Sequence, residues 1–136
     1  MDIIEIVGLS LVATIIIIIL KINRPEIALI ISVMTGILIF FLIVSEISYS
    51  IELILTYAKK VNVDMTYLNL LLKIIGIAYI SEFGAEICKD AGEGAIASKI
   101  ELAGKVAIIV LAVPIVTSLL DFIIKIIPWK INNILN

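Results

Sequence analysis

Between Glu5 and Lys21 the chain carries no charge, and between Glu26 and Glu46 it again carries none. Each run is apolar over the depth of a lipid bilayer, since about twenty helical residues rise roughly 30 Å, the thickness of the hydrocarbon core. The many isoleucines would favour strand in water. In lipid, however, every backbone amide must find its partner within the segment, so helix wins. Ile3 to Ile22 and Pro25 to Val44 are therefore expected as two membrane-spanning helices joined by the tight turn Lys21–Pro25. Pro25 suits a first helical position, and Glu26 suits the positive end of the helix dipole. Composition agrees: the 136 residues are 62% hydrophobic with a mean hydropathy of +1.27. Soluble domains are about 45–50% apolar, and so short a chain cannot bury that surplus within itself.

Several function classes fall away. The net charge is −2 and no basic stripe exists, so nucleic acid is not an expected partner. The chain has no histidine, which removes the commonest general base and metal ligand. Its single cysteine, Cys88, excludes an internal disulfide and reads most simply as a small packing residue. Asp2 and Glu5 stand where a cleavable leader would be basic, so none is expected. No nucleophile–base pair, metal-ligand spacing or phosphate loop is present. The expectation is a protein without catalytic residues, bound metal or cofactor.

After Val44 the character changes. Ile47, Ile51, Ile54, Leu55 and Ala58 recur at helical spacing, while Glu46, Ser50, Glu52 and Lys59 fall largely elsewhere. This predicts an amphipathic helix over 45–60 lying at the membrane interface. Within the second span, Ser32 and Gly36 form a small-xxx-small pair, either a helix contact or a chance match in an apolar run. Val61–Asp64 is a short linker, and Asp64 suits the cap of the next helix.

The third span, Met65 to Cys88, contains Lys73, Glu82 and Glu86. A central charge costs roughly 2.5–3.5 kcal/mol against about 0.5 gained per Leu or Ile, so this span needs neighbours to shelter it. Lys73 either snorkels to the surface beside Asp64 or pairs with another subunit. Lys89 to Ala97 reads as a turn. Its Gly92 and Gly94 either form an anion-binding nest or simply turn the chain. Ser98 and Glu101 match a capping box for a fourth helix over 99–127. There Pro114 predicts a kink, Asp121 and Lys125 an i,i+4 pair, and Trp129 an interfacial anchor.

The expected architecture is all-α: four transmembrane helices arranged as two hairpins, with one interfacial amphipathic helix between them. Residues 1–60 would form the first unit and 61–136 the second. Leu71-Leu-Lys-Ile-Ile-Gly76 resembles Ile3-Ile-Glu-Ile-Val-Gly8 position by position, which suggests a parallel repeat. Orientation is nearly balanced. Lys21, Arg24, Lys89 and Lys99 lie in the hairpin turns, against Lys59, Lys60, Lys125 and Lys130 on the other side; short basic turns lean toward the cytoplasm.

Around the second turn, Glu82, Glu86, Glu101 and Lys105 should meet as a polar cluster near one membrane face. Such a cluster could line an ion path or dock a partner. The bland alternative is a capping residue and headgroup-facing charges.

The stretch from Lys73 to Ile115, with AEI-KDAG-GAIASKIELAGK at its heart, resembles the stage III sporulation protein AD family, and the resemblance extends weakly over nearly the whole chain. The related AC family resembles one hairpin alone. The resemblance implies a membrane subunit of the secretion-like channel complex that joins mother cell and forespore in endospore-forming bacteria. It would lie in the mother-cell membrane surrounding the forespore, beside other membrane subunits of that complex, including the AC-type relative, and possible further copies of itself. The family brings no catalytic residues. The competing class is a small ion- or solute-coupled transporter using the Glu and Lys side chains as a charge relay.

Overall fold

A computed structural model describes residues 2–136. The described chain is all-helical, in the order α1 (Ile3–Asn23), α2 (Pro25–Lys60), α3 (Met65–Asp90) and α4 (Gly94–Leu135). Consecutive helices pack as neighbours: α1 on α2, α2 on α3 and α3 on α4. Three of the four, α1, α2 and α4, are long and apolar enough to cross a membrane. The charged α3 is not among them.

Each turn follows from local chemistry. Pro25 opens α2 directly after Arg24, in the first-turn position where its missing N–H costs nothing. At the end of α2, Asn62 takes the left-handed conformation at φ 56°, and the Val63 N–H reaches back to the Ala58 carbonyl at 3.2 Å. Asp64 then caps α3, its carboxylate accepting the Thr66 N–H at 2.9 Å, as its position predicts. The α3–α4 turn is a full Schellman closure. Gly92 sits at φ 82°, its N–H donates to the Lys89 carbonyl at 3.0 Å, and the Glu93 N–H donates to the Cys88 carbonyl at 2.8 Å.

Four expectations change. The amphipathic stretch 45–60 is not a separate element but the second half of a continuous 36-residue α2. No Gly or Pro lies between Val44 and Lys60 to break the ladder, and local hydrogen bonding carries the helix through. The expected nine-residue turn contracts to three residues, 91–93, so Gly94 is the first residue of α4 rather than part of a nest. Ser98 and Glu101 are consequently no capping box: Ser98 lies inside the helix and its hydroxyl donates to the Gly94 carbonyl at 3.1 Å. Finally, α4 runs past Pro114 and Pro128 to Leu135, eight residues beyond the expected end at Ile127.

Very little of the chain is buried within itself. Among the described residues, only the small Ala28, Ala58, Ala85, Ala97 and Gly104 are buried, while bulky Ile, Leu, Val and Phe side chains face outward along the helices. Packing through alanine, serine and glycine with large apolar groups outside is the pattern of helices that use lipid as solvent.

Candidate functional site

The site is built on the seam between α3 and α4. Ala85 and Ala97 are completely buried in it, and Gly84 lies opposite Ile100. Gly104 faces Ser81 so closely that a β-carbon there would overlap the Ser81 hydroxyl and stand 2.6 Å from its Cβ. The Ser81 hydroxyl, tucked into this contact, donates to the Ile77 carbonyl at 2.6 Å. Farther from the turn, the Tyr67 and Ser118 hydroxyls meet at 2.5 Å and fix the register of the same two helices.

This seam decides which charges meet. Glu82 follows Ser81 and Lys105 follows Gly104, so both emerge on one side of the hairpin. With Glu101 they line a cleft of about 350 Å³ that also takes in Ser81 and Gly104. Three of the four expected cluster residues are thus brought together. The fourth, Glu86, lies nearer the turn, where the structure adds a residue that sequence reasoning missed: Lys89. Its ammonium bridges Glu101 at 2.9 Å and Glu86 at 3.1 Å. Those two carboxylates, Glu101 first, make Lys89 hold its proton more tightly than an ordinary lysine. The i,i+3 spacing of Glu86 and Lys89 was the available signal; the reach across the turn to Glu101 was not in the sequence. All three side chains remain about half exposed to surroundings outside the chain.

The secondary charges stay apart. Among the described residues, neither Asp121 with Lys125 nor Lys73 with Asp64 forms an ion pair; Asp64 spends its carboxylate on the α3 cap. Gly92 is explained by its left-handed turn position.

A second cleft, of about 260 Å³, is lined by Lys21, Pro25 and Ser32 of the first hairpin and by Asp90 at the end of α3. Above it, Phe40 of α2 stacks on Phe83 of α3, ring centroids 4.1 Å apart and planes at 12°. The polar face bearing Glu82, Glu101 and Lys105 is on α3 and α4 alone; the charges are a property of the second hairpin.

Comparison with known proteins accounts for this duplicated plan. The stage III sporulation protein AC/AD family profile matches the chain twice, over residues 3–56 and 71–126. The two matches begin at Ile3 and Leu71, the residues that open the repeated hexapeptides. The chain is also similar to stage III sporulation protein AD of Bacillus subtilis (strain 168), 52% identical over 127 residues that cover 93% of this chain and 96% of the relative. No solved structure matches it. On a twofold match to its profile and on this identity over nearly its full length, the chain belongs to the stage III sporulation protein AC/AD family.

Proposed function

We propose that this chain is a non-enzymatic membrane subunit of a sporulation channel complex between mother cell and forespore, held in the mother-cell membrane that surrounds the forespore. Both hairpins cross that membrane, with residues 1–60 and 61–136 as the two units and the second half of α2 lying at its surface. The second hairpin meets neighbouring subunits, the AC-type relative among them, through Glu82, Glu86, Lys89, Glu101 and Lys105. The observation that carries this reading is the 52% identity to a stage III sporulation protein over nearly the whole of both chains. The one-sided polar face supports it, because charges at lipid depth are expensive and are kept where protein or water receives them.

The test is recovery of the full-length tagged chain from sporulating cells under mild detergent. Co-purification with an AC-type relative and other stage III membrane subunits is expected. Recovery free of them, together with ion flux by the purified protein in liposomes, would replace this reading with the coupled transporter.

A further inference from the structure

The helix contacts fix the heights of the two hairpins, and the heights do not match the apolar bands. Phe40 and Phe83 stack, so they lie level. Toward the turn, Asp90 shares a cleft with Pro25, Leu29 and Ser32 of α2, in keeping with an antiparallel pair. On the other side of α3, Ser81 is level with Gly104 and Tyr67 with Ser118. The uncharged stretch 106–120 of α4 therefore runs beside the first half of α3, which in turn runs beside residues 43–58 of α2. That part of α2 carries Glu46, Glu52 and Lys59.

Val113, at the middle of the uncharged stretch of α4, is thus level with about residue 51 of α2, whereas the middle of the first hairpin's apolar band is near Gly36. At 1.5 Å per residue the two bands are displaced by roughly 22 Å. Together they would occupy roughly 45–50 Å of depth, against a core of about 30 Å. Tilt alone would have to reach roughly 50°, outside the 0–40° that membrane helices adopt.

We infer that α2 is hinged at Ser45–Ser50, with the bend centred on Ser48, and that a bilayer selects a bent form in which residues 49–60 lie along its surface. The sequence at this point is suited to bending. Ser45, Ser48 and Ser50 each turn a hydroxyl back onto a carbonyl of the preceding turn, that of Leu42 at 2.8 Å, Val44 at 2.9 Å and Glu46 at 3.3 Å. Such bonds compete with the helical ladder and bend helices; Thr35 and Thr56 make them singly in the same helix, whereas three fall within six residues here. The geometry closes: laying down the twelve residues after Ser48 lowers the start of α3 by roughly 18 Å, close to the displacement that must be removed. Bending separates Phe40 from Phe83. It also moves Glu82, Glu86 and Lys105 from the depth of Ile37–Ile43, inside the first hairpin's apolar band, to the membrane edge. The bend of α2 sets the depth of the polar face.

The inference rests on both hairpins crossing the membrane, and the test separates the two ideas. Spin labels go on Val12→Cys and Val113→Cys, both on outward faces, in full-length Cys88→Ala chains in liposomes. Their depths are read from oxygen and nickel-chelate accessibility. The expected result is that both labels lie within a few ångström of the bilayer middle. In native membranes, Phe40→Cys with Phe83→Cys should then fail to cross-link, while Tyr67→Cys with Ser118→Cys, inside one hairpin, cross-links. A Val113 label in lipid but about 20 Å from the depth of Val12 overturns the hinge and leaves the topology standing. A Val113 label in water overturns both. Equal depths with an efficient 40–83 cross-link also overturn the hinge.

Discussion

Gly104 and Ser81 touch across the α3–α4 seam with no room between them for a methyl group. This contact sets the helix spacing and, by fixing the register, places Glu82 and Lys105 on the same cleft. Gly104→Ala should therefore be destabilising by about 1–3 kcal/mol, the usual cost of overpacking. Because the clash involves both Oγ and Cβ of Ser81, Ser81→Ala should rescue it only in part and Ser81→Gly more fully. Thermal aggregation of the detergent-solubilised chain measures this, and equal rescue by the two changes would contradict it.

Gly92 holds a left-handed conformation at φ 82° in the turn that closes the second hairpin. A β-carbon meets nothing there, so any effect is conformational rather than steric against neighbours. Gly92→Ala should cost about 1–2 kcal/mol, and Gly92→Asn, which tolerates this region, distinctly less. At Gly94, the first residue of α4, Gly→Ala should be neutral or stabilising by well under about 1 kcal/mol, the full gain being that of a helix interior. The same melting assay ranks all three.

Lys89 holds the two carboxylates of Glu86 and Glu101 together across the turn. Lys89→Glu should set three carboxylates against one another and lower the yield of folded protein, and Glu101→Lys in the same chain should restore much of it. The comparison is band intensity of the chain in membranes; failure of the swap to restore it would show that Lys89 acts elsewhere.

Glu82 carries no ion pair among the described residues, and Glu86 shares Lys89 with Glu101. If these carboxylates meet a partner, charge matters more than volume. The Glu82→Gln, Glu86→Gln double variant should keep normal protein levels, since an amide is cheaper to bury than a carboxylate, yet reduce spore formation by an order of magnitude or more. Glu→Asp should be milder. Normal sporulation would make the face an ordinary rim. A collapse in protein level would make its role structural.

Topology can be mapped with single cysteines on a Cys88→Ala background. Lys21 and Gly92, at the two hairpin turns, should label from one side; Lys60 and Trp129 should label from the other. Finding Lys21 and Lys60 on one side would rule out the two-hairpin arrangement.

The sequence alone determined the helices, because each is dictated by local chemistry. Uncharged runs of bilayer length force helix, Pro25 and Asp64 start elements where they stand, and Gly92 turns the chain. It also carried the repeat, since the hexapeptides at Ile3 and Leu71 mark the starts of the two family matches. Three of the four cluster residues could be placed by counting outward from the turn. Helix ends were less legible: an amphipathic stretch reads as a separate element although α2 runs through it without a Gly or Pro, and Ser98 resembles a cap although α4 already has a turn before it. What only the tertiary structure decided was contact at long range. The closeness of Gly104 to Ser81, the reach of Lys89 to Glu101 and the stack of Phe40 on Phe83 depend on the rotation and height of one helix against another. Periodicity fixes which residues share a helix face, but only packing fixes which face, and at what depth, meets the next helix.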